Sequence, residues 1–131
     1  MNNNRKIFIV GASGYIGSLL YKSFKSDCVV YGTSSAVTTD LMLLSLDAPA
    51  GFDYGLIQRS DVVLLAAAIS SPDICAREHA RAWAVNVTGT MEFINRVLAR
   101  GARVVFFSTD MVYGERSDAF DETAESLPAG E

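Results

Sequence analysis

The sequence predicts an α/β domain, a doubly wound parallel sheet with strand order 3-2-1-4-5 and helices on both faces. Three observations lead there. The candidate strands are short, continuous apolar runs rather than alternating ones, as strands covered on both faces require. Stretches of helical periodicity separate most of them, and a parallel crossover needs such stretches. The first run passes directly into a glycine-rich turn that opens the first helix.

Taken in order, IFIV (residues 7–10) is a β-branched first strand. YIGSLLYKSFK follows, with Ile16, Leu19, Leu20 and Phe24 at helical spacing. CVVYG (28–32) is the second strand and LMLLSL (41–46) the third. In DAPAGFDYGLIQR, Pro49, Gly51 and Gly55 leave room only for a short helix. DVVLLAAA is the fourth strand. A long helix is then expected from about residue 76 to 100, with Ala80, Trp83, Ala84, Val87, Met91, Ile94 and Leu98 near one face and Gly101 as its stop. RVVFF is the fifth strand.

At 131 residues the chain makes one domain, with half its residues apolar, about a fifth charged and a net charge of −4. The carboxylates are scattered, and Lys and Arg form no stripe or aromatic-interleaved cluster, so a nucleic-acid partner is not expected. The longest apolar run, Val62 to Ile69, is far short of the roughly 20 residues that span a bilayer, so no membrane partner is expected either. The apolar run near the N-terminus is too short for a signal sequence. Cys28 and Cys75 stand far apart without metal-type spacing and read as free thiols of a cytoplasmic protein. The lone histidine, His79, reads as a solvated surface residue, and no metal site is expected.

The first chemical motif is GASGYIG. Gly11 lets the chain turn tightly, Gly14 lets the backbone approach a diphosphate, and Gly17 lets the helix pack on the strand. Helix N–H groups then point at the phosphates. Gly11, Ser13, Gly14, Tyr15, Ile16 and Gly17 are thus candidate cofactor-binding residues. At the end of the second strand, where an NAD site usually carries an acidic residue, stand Thr33, Ser34 and Ser35. Three hydroxyls and no carboxylate tilt NAD(P) toward NADP, yet no Arg or Lys stands nearby, and an ordinary polar turn accounts for them as well. Leu46 and Asp47 close the third strand, where a carboxylate could accept from the adenine amino group; Asp40 competes for that role. Ala66, Ala67 and Ala68 end a central strand with side chains small enough for a cofactor to cross the sheet edge.

GASGYIG, AAAISSPD, NVTGT and STDMVYGE, in order along nearly the whole chain, resemble the extended short-chain dehydrogenase/reductase family of NAD(P)-dependent nucleotide-sugar epimerases, dehydratases and reductases. The STD-x-V form is most similar to the family's dTDP-4-dehydrorhamnose reductase branch. The resemblance implies a Rossmann-like cofactor domain, with Thr109 holding the reacting oxygen while a tyrosine moves the proton and a lysine lowers that tyrosine's pKa. Asp110 and Met111 would face the substrate, with Asp110 either orienting the sugar or capping the turn. Asn86 would anchor backbone near the site. The family's Tyr-x-x-x-Lys lies about two dozen residues beyond the threonine, commonly with a proline four positions before the tyrosine. Pro128 places that tyrosine just after Glu131; within the chain Tyr21 and Lys25 have the four-residue spacing, but they precede Thr109 in the first helical stretch rather than follow it.

The expectation is therefore an N-terminal fragment, residues 1–131, of a nucleotide-sugar reductase, with a 4-epimerase or dehydratase as alternatives and little activity of its own. A non-catalytic dinucleotide sensor or scaffold is the reading from another class. Ala76, Ala80 and Ala84 at four-residue spacing would admit a partner helix, partly from the remainder of the protein and partly from a homodimer; an ordinary buried helix face is the alternative.

Overall fold

The computed structural model describes residues 5–114 and 121–127. Its strands are β1 (Lys6–Val10), β2 (Val29–Ser34), β3 (Met42–Leu43), β4 (Val62–Leu65) and β5 (Arg103–Phe106). All pair in parallel in the order β3-β2-β1-β4-β5, as the sequence predicts. Because side chains alternate along a strand, Phe8, Val10, Val63 and Leu65 face one layer and Ile9 and Leu64 the other.

The first layer is the larger core. There Leu44, Leu46, Phe52, Ile57, Phe93, Val97 and Ala102 are buried against the sheet. On the opposite face α1 (Tyr15–Phe24) packs Leu20, Tyr21 and Phe24 against Ile9, Ala12 and Leu64. Buried Asp61 ties the strands together at the far end from the glycine turn. Its carboxylate accepts from the backbone N–H of Lys6 at 3.0 Å and of Gln58 at 2.8 Å, and the Lys6 ammonium lies 3.5 Å away. These partners satisfy the buried carboxylate and fix where β1 and β4 begin.

Three of the strands differ from expectation. The second strand runs on through Thr33 and Ser34, which pair with Met42 and Leu43. The third is correspondingly short: after Leu43 the chain leaves the sheet so that Leu44 and Leu46 reach the core, with the Leu44 N–H still donating to the Ser34 carbonyl at 2.9 Å. Ala66, Ala67 and Ala68 lie beyond the end of β4 as loop, held by the Ala66 N–H to Val10 carbonyl bond of 3.0 Å.

The expected continuous helix over residues 76–100 is not continuous. It begins earlier, at α2 (Pro72–Arg77), because Ser71 caps it by accepting from the Ile74 N–H at 3.4 Å and Pro72 suits the first turn. Glu78, at φ −120° and ψ 45°, breaks it before α3 (His79–Trp83). A π-helical segment, Ala84–Gly89, then leads into α4 (Thr90–Ala99). Threonine hydroxyls take carbonyls in this segment: Thr88 donates to Ala84 at 3.2 Å and Thr90 to Val85, five residues back, at 2.8 Å. The break at Glu78 also means that Ala76, Ala80 and Ala84 do not form one uninterrupted helix face. Gly101 ends α4 as expected, at φ 77° with its N–H donating to Leu98 at 2.8 Å.

Residues 49–56 form two single 3-10 turns, Pro49–Gly51 and Tyr54–Leu56. Between and beside them Phe52 and Tyr54 pack on Phe93 of α4, with ring centroids 6.1 and 5.8 Å away. Among the described residues both cysteines are free thiols, and no helix is long and apolar enough to cross a membrane. The extreme N-terminus, much of the acidic 115–126 stretch, Pro128 and Glu131 lie outside the described residues.

Candidate functional site

The carboxyl ends of β1 and β4, the loop after β2 and the segment after β3 surround a cavity of about 230 Å³. From the sequence-derived candidates it gathers Gly11, Ser13, Gly14, Ser35, Leu46, Asp47, Ala66, Ala67 and Ala68. These come from four separated stretches of chain. Tyr15, Ile16, Gly17, Thr33 and Ser34 do not line it.

The glycine turn is held from both sides. Gly11 adopts φ +86°, where a side chain is strained, and an added Cβ would also sit 2.8 Å from the Ala67 Cβ. Its N–H donates to the Thr33 hydroxyl at 3.3 Å, and the Ala12 N–H donates to the Thr33 carbonyl at 2.8 Å. Thr33 therefore braces the turn from a buried position instead of facing the cavity. Ser34 is buried too, its hydroxyl accepting from the Ala36 N–H at 3.1 Å. Of the three hydroxyls expected near a ribose, only Ser35 reaches the cavity lining.

Gly17 lets α1 pack tightly: a Cβ there would fall 2.1 Å from the Gly11 carbonyl oxygen. Gly14 is different. It is the N-cap of α1, exposed, and a Cβ on it would meet only the Gly11 carbonyl at 3.3 Å. No side chain caps α1 and no acidic residue occupies its first turn. The opening N–H groups of a helix have no intrahelical partner, and here no cap competes with an anion for them. Tyr15 and Ile16, 83% and 51% exposed, turn away from the cavity.

Ala67, beside Gly11, is the wall on the β4 side, and Ala66 and Ala68 extend it. Beyond them Asn86 clamps the chain reciprocally, its Oδ1 accepting from the Ile69 N–H at 2.8 Å and its Nδ2 donating to the Ile69 carbonyl at 2.9 Å. The anchoring expected of Asn86 is thus present in the geometry. Gly89 does comparable service for the opposite wall, since a Cβ on it would lie 1.5 Å from the Leu46 carbonyl oxygen. Asp47, next in the chain, is exposed and accepts from the Ser45 hydroxyl.

Lining residues that sequence reasoning missed are Val10, Leu44, Ser45, Ile69, Arg81 and Val85. Arg81 is the consequential one. It donates to Glu78 at 2.7 Å and holds its proton more firmly than a free guanidinium, chiefly through that hydrogen bond and the charge of Glu78, with Asp47 adding to it. A signal existed: an asparagine that ties its helix to the chain after the fourth strand brings the preceding turns toward that strand's end.

Thr109, Asp110 and Met111 occur together elsewhere on the same edge, after β5. Thr109 caps a 3-10 turn, Asp110–Tyr113, by accepting from the Met111 N–H at 3.2 Å, and its hydroxyl donates to Asp110 at 3.3 Å. Asp110 therefore starts the turn and Thr109 caps it. All three side chains are exposed, and none lines the cavity. The turn is braced by the segment 121–127, where the Leu127 N–H donates to the Val112 carbonyl at 2.8 Å. His79 is exposed and stacks on Trp83, with ring centroids 6.3 Å apart.

A family model described as the NAD dependent epimerase/dehydratase family matches residues 7–131. A dTDP-4-dehydrorhamnose reductase from Mycobacterium tuberculosis is 29% identical over 135 aligned positions, covering 97% of this chain. The chain spans 41% of that relative's length. Among solved structures, a hypothetical dTDP-4-dehydrorhamnose reductase from Sulfolobus tokodaii superposes with a TM-score of 0.81 at 22% identity, covering 94% of this chain and 46% of its own. The UDP-glucuronic acid 4-epimerase of Bacillus cereus, a Y149F mutant in complex with NAD and a fluorinated sugar nucleotide, gives a TM-score of 0.79 at 22% identity, covering 94% and 46%. At such identity the structural likeness concerns the fold.

Proposed function

The chain belongs to the NAD dependent epimerase/dehydratase family, and from that premise we propose that it is the dinucleotide-binding part of an oxidoreductase acting on a nucleotide-linked keto sugar. The observation that carries this reading is the uncapped start of α1 at a glycine turn that opens on a cavity. The residues fit a dinucleotide. Gly14 leaves its Cβ position clear of all but its own turn, the first helical N–H groups suit a diphosphate, and the aliphatic walls suit a purine.

In this reading Gly11, Ser13, Gly14 and the N–H groups of Tyr15, Ile16 and Gly17 receive the diphosphate. Asp47 accepts from the adenine amino group, Leu46 and Ala66 to Ala68 flank the rings, and Thr33 and Ser34 act by holding the turn. The tilt toward NADP rests on Ser35 alone, so we take NAD as the coenzyme. When bound, its nicotinamide supplies or accepts the hydride. Thr109 holds the substrate oxygen by a hydrogen bond, and Asp110 and Met111 border the sugar. The tyrosine and lysine that complete proton transfer in the resemblance are given no counterpart among the described residues.

Reduction, in the manner of the dTDP-4-dehydrorhamnose reductases, is the preferred reaction because the STD-x-V sequence around Thr109 matches that branch. Epimerisation or dehydration through the same keto chemistry is the alternative. A homodimer formed over the exposed Trp83, Val87 and Met91 is part of the proposal. The test is calorimetric titration with NAD+ and NADP+, followed by turnover of 4-keto sugar nucleotides by the full-length protein. Micromolar coenzyme binding with keto-sugar reduction supports the reading. Coenzyme binding with no turnover of any keto sugar would favour a sensor, and no coenzyme binding would reject both.

A further inference from the structure

Arg81 supplies the only cationic side chain among the described residues that line the cavity, and neither the glycine turn nor the strand ends account for it. We propose that Arg81 is a specificity-determining residue, laying its guanidinium plane over the adenine ring and favouring a dinucleotide without a 2′-phosphate. The inference rests on the dinucleotide reading above and adds to it a residue and a choice of coenzyme.

Charge decides between a ring and a phosphate. One edge of the guanidinium is already engaged by Glu78 at 2.7 Å, and Asp47 lines the same cavity. Two carboxylates against one guanidinium leave no surplus positive charge for an added phosphate dianion. The flat face remains available, since hydrogen bonding along the edge of a guanidinium leaves its π-face open to stacking. Arg81 has the freedom to reach a ligand: its side chain is 63% exposed, and its aliphatic stem can cross apolar surface while the charged end stays hydrated.

The neighbouring walls suit a flat ring. Ala66, Ala67, Ala68, Ile69, Leu46 and Val85 are small or aliphatic, and an adenine between them would lack a polar cover on its solvent side without Arg81. The diphosphate has no need of this cation, because the α1 N-terminus serves it. The π segment that continues α3 is itself fixed, through the paired hydrogen bonds of Asn86 to Ile69.

The test is calorimetric Kd measurement for NAD+, NADP+ and ADP-ribose with the wild-type protein, Arg81→Ala and Arg81→Lys, with thermal denaturation confirming that each variant is folded. Stacking of an exposed cation on a ring corresponds to about 2- to 5-fold in affinity. The expected result is that Arg81→Ala weakens NAD+ and ADP-ribose by that factor, that Arg81→Lys fails to restore them, and that the wild type prefers NAD+ to NADP+. Unchanged NAD+ affinity in Arg81→Ala would overturn the proposal. So would full recovery by lysine, which would make charge alone sufficient, or a larger loss for NADP+ than for NAD+, which would make the guanidinium a phosphate reader. If the wild type binds none of the three ligands, the dinucleotide reading itself falls, and this inference with it.

Discussion

Two regions on the carboxyl edge of one sheet are built in opposite ways. The ends of β1 and β4, with the segment after β3, close on a cavity whose shape is fixed by backbone: Gly11 against Ala67, Gly17 against the Gly11 carbonyl, Gly89 against the Leu46 carbonyl. The end of β5 carries Thr109 into solvent on a capped turn, where among the described residues its hydroxyl meets Asp110 and backbone. The difference teaches what each task demands. Holding a diphosphate takes main-chain N–H groups and an absence of side chains, which one short stretch of sequence can provide. Moving a proton to or from a sugar takes several side chains converging on one atom, and the described residues around Thr109 bring no such set together.

If that contrast is right, substitutions in the two regions should fail differently. The largest effect is expected at Gly89→Ala. Its Cβ would lie 1.5 Å from the Leu46 carbonyl oxygen, so helix and wall must separate. A loss of about 3 kcal/mol or more of stability, read by urea denaturation, should accompany weakened coenzyme binding as Asp47 moves.

Thr109→Ala should reverse the pattern. In the full-length protein, removing one donor to the reacting oxygen should cut kcat by about 100-fold while the Kd for NAD+ stays unchanged. A shift in Kd without one in kcat would place Thr109 in the wrong region. Asn86→Ala comes next. It removes both bonds to Ile69 and should cost about 2 kcal/mol in stability, with a measurable loss of NAD+ affinity as the Ala66 to Ile69 wall loosens.

Gly14→Ala sharpens the comparison most although it perturbs the fold least. Its added methyl meets only the Gly11 carbonyl, at 3.3 Å, so stability should change by under about 1 kcal/mol. Coenzyme affinity should nevertheless fall about 10-fold or more, because the methyl enters the space a diphosphate needs. Equal NAD+ affinity in this variant would show that the glycine is there for the turn alone.

Legibility in the sequence follows the same division. Strand order, the glycine turn and the alanine wall could be read because each depends on local pattern: apolar runs, a glycine spacing, three small residues in succession. The roles of Thr33 and Ser34 could not, because which hydroxyls face a cavity depends on how far the second strand runs. Two further residues of pairing with Met42 and Leu43 buried them. The break at Glu78 and the π segment were hidden for a related reason. Helical periodicity in side chains persists across a local change in backbone hydrogen bonding, and the hydroxyls of Thr88 and Thr90 take carbonyls without altering the apolar pattern. Arg81 was missed because it is charged and exposed, and reads as a solvated face until Asn86 fixes where its helix lies.

The account stands most directly on where the diphosphate binds. Titrating the protein with NAD+ while following backbone amide resonances by NMR would test this. The amides of Gly14, Tyr15, Ile16 and Gly17 should show the largest shifts and saturate with the calorimetric Kd. Saturable NAD+ binding that leaves those amides unmoved, with the largest shifts elsewhere, would contradict it.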